Sequence, residues 1–176
     1  MPELPEVQTV VNGIKSKINK HKILRFKKYI SKLRYPIQKN LSSEVESSTV
    51  TTVYRRAKYI IINLSNNRSL VIHLGMSGRI IIVKDNKKKF KHTHFAIFFN
   101  KNLVFQFIDP RRFGYIFVTE TASLDRHRFF VNLGVEPLIG NPSNFLVNNF
   151  MVSGFLSICP NKKRRNSLWL RVKNMR

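Results

Sequence analysis

Apolar positions recur along this chain with two different periods, and the change from one to the other divides it. Between residues 6 and 18 they are Val7, Val10, Val11, Ile14 and Ile18. Steps of three and four place them on one helical face, with Gln8, Asn12, Lys15 and Lys17 elsewhere. Glu3 and Glu6 precede this run and Lys15, Lys17 and Lys20 close it, an order that matches the helix dipole. Val and Ile are mediocre helix formers, so packing must fix the helix. From residue 23 the period becomes two. Segments 23–30, 49–54, 58–64, 70–74, 80–83, 94–99, 103–108 and 114–118 read as strands. Asn66-Asn67, Gly75 and Gly78, Asp85-Asn86 and Asn100-Lys101-Asn102 supply turn chemistry between them. A long helix followed by about eight short strands predicts a mainly β fold, an N-terminal helix packed on a two-layer antiparallel β-sandwich or flattened barrel. Residues 123–133 predict a short helix with Ser123 as N-cap and Gly134 as its stop. Lys87-Lys88-Lys89 and Lys91 fall in a connection expected to be mobile. There is no internal repeat, and beyond about residue 140 neither period is sustained.

Composition narrows the partners. A chain of 176 residues suits one domain, alone or with an appendage. With 43% hydrophobic residues and 14 Phe it can build a true core. Its 32 Lys and Arg against 9 Asp and Glu give a formal charge of +23. That excess implies strong, salt-sensitive attraction to a polyanion, nucleic acid first, with an anionic membrane surface or a ribosomal setting as the alternative. The single Cys159 excludes an intramolecular disulfide and a multi-cysteine zinc site within the chain, and fits a reducing cytosol. No apolar run is long enough to cross a bilayer, and the N-terminus lacks the basic-then-apolar order of a signal peptide.

The opening Met1-Pro2-Glu3-Leu4-Pro5-Glu6 combines two prolines with two carboxylates. If Met1 is removed, Pro2 presents a secondary α-amine. Such groups titrate near ~7.7–8.0, so a useful fraction is neutral at physiological pH. That amine can attack an electrophilic carbon and form an iminium adduct, with Glu3 beside it to give or take a proton. The plainer reading makes Pro2, Glu3 and Glu6 the ordinary start of a helix.

Three further motifs lie at strand ends: Arg55-Arg56-Ala57-Lys58-Tyr59, His73-Leu74-Gly75-Met76-Ser77-Gly78 and Asp109-Pro110-Arg111-Arg112-Phe113-Gly114. Singly they read as a cationic strand edge, a hairpin with a buried Met and a turn with surface cations. Together with the opening, and with Leu133-Gly134-Val135-Glu136-Pro137-Leu138 after them, the chain resembles the N-terminal domain of the bacterial formamidopyrimidine-DNA glycosylase family over residues 1–139. The Leu-Pro-Glu-Val opening resembles this branch rather than the oxidised-pyrimidine branch.

The resemblance implies base-excision repair: excision of 8-oxoguanine and formamidopyrimidines from double-stranded DNA, with AP-lyase nicking by β-elimination. It implies that Pro2 is the Schiff-base nucleophile at the sugar C1′, Glu3 the proton donor and Lys58 an aid to base excision and elimination. Glu6 would orient the opened sugar. Met76, Arg111 and Phe113 would fill the hole left by a flipped nucleotide, which offsets part of the unstacking cost. His92 and Arg111 would contact DNA, and His73 and Arg112 would hold phosphates near the lesion. A cytoplasmic monomer acting at the bacterial nucleoid, without a membrane, is the matching setting. The family's second half, a helix–two-turn–helix bundle and a four-cysteine zinc finger, finds no match here. One cysteine cannot make that zinc site, so no cofactor is expected in this chain. Residues 140–176 are acid-free and aperiodic and are expected to be a basic tail, disordered or the product of a frameshift. The alternative function is a DNA-binding remnant without turnover.

Overall fold

A computed structural model describes residues 2–84 and 89–134 of the chain. Helix α1 (Leu4–Ile18) buries Val7, Val11, Ile14 and Ile18, the face that the three-and-four spacing predicts. It starts three residues before Val7 because Glu3 is its N-cap and the Glu6 side chain accepts the Glu3 N–H at 3.0 Å. Pro5 lies in the first turn, where a missing N–H costs nothing. There follow β1 (Ile23–Lys28), a short helix α2 (Leu41–Val45), β2 (Val50–Arg56), β3 (Tyr59–Leu64), β4 (Arg68–His73), β5 (Arg79–Val83), β6 (Thr93–Phe99), β7 (Val104–Ile108) and β8 (Tyr115–Glu120). The strands form two four-stranded antiparallel sheets, in the orders β1-β6-β7-β5 and β2-β3-β4-β8. The predicted mainly β sandwich with an N-terminal helix is the observed architecture.

The two sheets share a core. Phe26, Phe95, Phe99, Phe105 and Phe107 enter it from the first sheet, and Ile60, Ile62, Leu70, Ile72, Ile116 and Val118 from the second. The Phe95 and Phe107 rings stack at 4.9 Å. Each such side chain contributes roughly 1.5–3 kcal/mol of transfer free energy when fully buried. Helix α1 packs on β2, β3 and β5, and α2 on β1, β4 and β8. The second sheet is also covered on its outer face, where Ile61, Val71, Tyr115, Phe117, Leu124 and Phe130 form a smaller cluster. Burial on both faces explains why β3 reads as a nearly unbroken apolar run.

The structure corrects two sequence expectations and adds one element that was not foreseen. Strand β1 ends at Lys28, and Ile30 packs against the core instead of extending the ladder. Helix α2 is too short to show a period, although Leu41 and Val45, one turn apart, are both buried. The helix expected over 123–133 is a 3₁₀ segment, Thr121–Arg126, with Glu120 rather than Ser123 at the N-cap position and no side-chain cap. Beyond it the chain advances in three-residue steps: His127 N–H to Leu124 C=O, Phe130 N–H to His127 C=O and Leu133 N–H to Phe130 C=O. This tighter winding brings both Leu124 and Phe130 onto the sheet. Met1, Lys87-Lys88 and the 140–176 tail lie outside the described residues, as does most of the motif that follows Leu133.

The register fixes where the motifs meet. Tyr59 of β3 pairs with His73 of β4, and His73 with Tyr115 of β8. In the other sheet Ile108 of β7 pairs with both Arg79 of β5 and Thr93 of β6. In each sheet these pairs lie at the strand ends from which the motif connections depart. The β2–β3 turn, the β4–β5 connection, the entry to β6 and the β7–β8 connection therefore rise at these ends.

Candidate nucleic-acid and catalytic site

Lys58 sits in the β2–β3 turn, directly after Ala57, which adopts a left-handed φ of 49°. Its Nζ lies 2.7 Å from Glu3 Oε2 at the start of α1. The hydrogen bond from Lys58 holds the Glu3 carboxyl below the usual carboxylate range. The Glu3 side chain remains 56% exposed, so the pair is open to a ligand rather than sealed into the core. Pro2 immediately precedes it. Glu6 is engaged in capping α1 through its bond to the Glu3 N–H, so the helix-start reading and the reactive reading describe the same residues.

Behind the pair stands a residue that sequence reasoning treated as an exposed cation. Arg55 is only 4% exposed. Its Nε donates to Gln8 Oε1 on α1 at 3.0 Å, and its Nη1 donates to the Ala57 carbonyl at 2.9 Å.

The second part of the site is built from two connections, 74–78 and 109–114. Asp109, fully buried, ties them together. It accepts from the Ser77 hydroxyl at 2.5 Å, from the Gly114 N–H at 2.7 Å and from the Arg111 N–H at 3.3 Å. Its carbonyl receives the Arg112 N–H at 3.2 Å and contacts the buried His94 Nε2 at 2.6 Å. Gly75, at φ 67°, lies backbone to backbone against Phe113 and Gly114. On this scaffold Met76 and Phe113 remain 44% and 40% exposed, unusual for large apolar side chains on rigid loops. The Arg111 guanidinium lies over the Phe113 ring at 5.0 Å, a cation–π arrangement. Arg112, at φ 57°, is exposed beside them. His92, at φ 61°, is joined to the same scaffold through its carbonyl, which accepts the Asp109 N–H at 3.1 Å, and its side chain is exposed.

His73 joins the two parts. It stacks on Tyr115 at 4.9 Å and lies 5.1 Å from the ring of Tyr59, the residue after Lys58. Its Nδ1 accepts the Gly75 N–H at 3.0 Å, which leaves Nε2–H as a donor. Burial, with Arg34 and Lys58 nearby, pushes its pKa down to about 4, so at neutral pH it is an uncharged donor rather than a cation. Tyr59 and Tyr115 share a hydroxyl hydrogen bond of 2.9 Å, and burial drives the Tyr115 phenol upward.

Each predicted site residue thus has a place. Glu3 and Lys58 are in contact. Met76, Arg111 and Phe113 occupy two adjoining connections. His73 bridges toward Lys58 through Tyr59, while His92 and Arg112 lie on the rim. Sequence reasoning missed Arg55, Gln8, Ser77 and Asp109, which hold the others. Among the described residues no group of three or more His, Cys, Asp or Glu side chains could hold a metal ion, and the lone Cys159 does not fit a four-cysteine zinc site. Among the described residues no helix is long and apolar enough to cross a membrane.

Comparison with known proteins places the chain in a family. Residues 1–116 match the family described as formamidopyrimidine-DNA glycosylase N-terminal domain. A formamidopyrimidine-DNA glycosylase of Wolbachia pipientis is 42% identical over 138 residues, which are 78% of this chain and 50% of the relative. One from Rickettsia canadensis is 43% identical over the same shares. The chain therefore spans about half the length of the curated relatives it matches. Among solved structures, Lactococcus lactis Fpg (MutM) in complex with DNA containing N7-benzyl-Fapy-dG superposes with a TM-score of 0.70 at 26% identity. The superposition covers 77% of this chain and 50% of that one. The same bacterium's enzyme bound non-covalently to DNA with an AP site gives the same TM-score.

Proposed function

The chain belongs to the formamidopyrimidine-DNA glycosylase family through its N-terminal domain, and from that premise we propose that it recognises damaged double-stranded DNA and opens the lesion through Pro2. With Met1 removed, the Pro2 nitrogen attacks C1′ of the damaged nucleotide, and the C1′–N bond to the oxidised purine breaks as the base takes up a proton. The C1′–O4′ bond of this aminal then breaks as the ring oxygen takes up a proton, and the resulting open-chain iminium makes the C2′ proton acidic. Its loss expels the 3′ phosphate, and water then hydrolyses the adduct to free the proline.

Glu3 is the proton carrier. Lys58 keeps its carboxyl ionised in the resting state, so it first accepts the proton that Pro2 sheds and then delivers it to the departing base or ring oxygen. Lys58 offers positive charge to the phosphate and the developing anion. Met76 and Phe113 enter the stack vacated by the flipped nucleotide, and Arg111 faces the orphaned base. Neutral His73, with Arg112 and His92, holds phosphates. Glu6 orients the opened sugar by exchanging its capping bond. This chemistry requires no metal or organic cofactor, and a cytosolic monomer suffices for it.

The observation that carries the reading is the 2.7 Å Glu3–Lys58 contact one residue from Pro2. The test is borohydride trapping. The full chain, its N-terminus verified by mass spectrometry, is mixed with a duplex containing one abasic site and reduced. A covalent protein–DNA adduct that disappears in Pro2→Gly and weakens in Glu3→Gln is the expected result. Salt-sensitive binding without an adduct would leave only a DNA-binding remnant, and an adduct that survives Pro2→Gly would move the nucleophile elsewhere.

A further inference from the structure

The pair Glu3 and Lys58 comes from segments 55 positions apart, and a lysine side chain alone is too flexible to fix their separation. We propose that Arg55 and Gln8 form a buried clamp that sets Lys58 against Glu3, making both positioning residues for the Pro2 chemistry; this rests on the function proposed above.

The geometry closes a ring. Gln8 lies five positions after Glu3 on α1, so its side chain reports the placement of the helix start. Its Nε2 donates to Asn12 Oδ1 at 2.9 Å, which turns its Oε1 toward Arg55. The Arg55 Nε takes that oxygen at 3.0 Å, while Nη1 takes the carbonyl of Ala57 at 2.9 Å. Ala57 is the left-handed residue of the turn and the immediate neighbour of Lys58. One planar guanidinium thus spans helix and turn, and Lys58 completes the circuit at 2.7 Å from Glu3. Arginine suits this place because its donors are held in a rigid fork, whereas a lysine offers a single point charge. Arg55 itself is 4% exposed and its two bonds are partly buried, which limits competition from water. Arg55 touches neither the carboxyl nor the ammonium in these contacts. Through these contacts it acts on the reaction by setting their separation.

Release of the clamp has two separable consequences. Lys58 no longer dwells on Glu3, so the Glu3 carboxyl titration moves upward toward the ordinary carboxylate range. Proton transfer at Pro2 also slows, because misplacing a reacting group by about 1 Å can cost on the order of 100-fold. Duplex affinity stays within about twofold, since no phosphate contact is removed.

The test uses the full chain with Gln8→Leu, which deletes the acceptor on α1, Gln8→Glu, which keeps an acceptor oxygen, and Arg55→Lys, which replaces the fork. Thermal unfolding and circular dichroism establish that each variant folds. The Glu3 carboxyl is titrated by carbon-detected NMR without DNA, and the single-turnover trapping rate is measured on saturating abasic duplex. The expected result is an upward Glu3 titration in Gln8→Leu and Arg55→Lys, a trapping rate lowered about 10–100-fold with unchanged Kd, and recovery of both in Gln8→Glu. An unmoved Glu3 titration in a folded Gln8→Leu would overturn the clamp. A moved titration in a chain that traps no DNA at all would uphold the clamp and refute the proposed function instead.

Discussion

Replacing Asp109 with Asn tests whether one buried carboxylate holds the DNA-facing connections together. The aspartate is fully buried and surrounded by donors: the Ser77 hydroxyl and the Arg111 N–H on Oδ1, and the Gly114 N–H on Oδ2. An amide has one acceptor and one donor end. With its NH₂ at Oδ2 it faces the buried Gly114 N–H and strands two donors against each other. With its NH₂ at Oδ1 the Ser77 hydroxyl can turn to accept, but the Arg111 N–H loses its carboxylate. The second orientation is cheaper. It forfeits charge-assisted bonds worth roughly 1.5–3 kcal/mol and takes the acceptor from the Ser77 hydroxyl proton, about 1–3 kcal/mol, partly offset because the Arg111 N–H keeps the Ser77 Oγ it already shares at 3.3 Å. The net expectation is about 2–4 kcal/mol. At roughly 2–4 °C per kcal/mol this lowers Tm by about 5–15 °C, read by calorimetry or circular dichroism on the full chain. Ser77→Ala, which removes one hydroxyl partner, costs about 1 kcal/mol by the same reasoning. A Tm for Asp109→Asn within about 2 °C of the parent would refute the view that the carboxylate organises these connections.

Gly75→Ala places a methyl group against the backbone of Phe113 and Gly114 at a left-handed φ of 67°; it should cost about 2–4 kcal/mol through strain and loop displacement, measured by urea unfolding. Met76→Ala and Phe113→Ala should change stability by no more than about 0.5 kcal/mol, because both side chains are exposed, yet weaken binding to a lesion duplex more than to single-stranded DNA in fluorescence titrations. His73 has a folded pKa of about 4, below its ordinary 6.5, so the fold favours the neutral ring. Its contribution is fully present above about pH 6.5 and is lost as pH falls toward 4. Discounted for the ring's partial exposure, it amounts to about 1–2 kcal/mol, and His73→Gln should flatten that part of the stability–pH curve.

What the sequence made legible follows from which interactions are local. The buried face of α1 is a spacing of three and four within one helix, and the strands were found as short apolar segments bounded by turn chemistry, several of them buried on both faces. The reactive N-terminus was visible because Pro2, Glu3 and Glu6 are contiguous. Pairing was not visible. Nothing in the order of residues states that Lys58 reaches Glu3; that depends on α1 lying against β2 and on the turn at Ala57. Arg55 offered a partial signal. Strand β2 buries Val50, Val53 and Arg55, with a register irregularity between Val50 and Thr52. Read from Val53 onward, period two puts Arg55 on the inner side, but the irregularity breaks the alternation that would have shown it. Asp109 offered less, since Asp-Pro is ordinary turn chemistry until Ser77 and Gly114 arrive from other parts of the chain. The residues that motifs reveal are therefore those exposed to a ligand, Glu3, Met76, Arg111 and Phe113. The buried polar groups that fix their relative positions, Arg55 and Asp109, emerge only with the pairing of Tyr59, His73 and Tyr115. A substitution in either buried group should consequently act on several exposed residues at once, whereas a substitution in an exposed one should act alone.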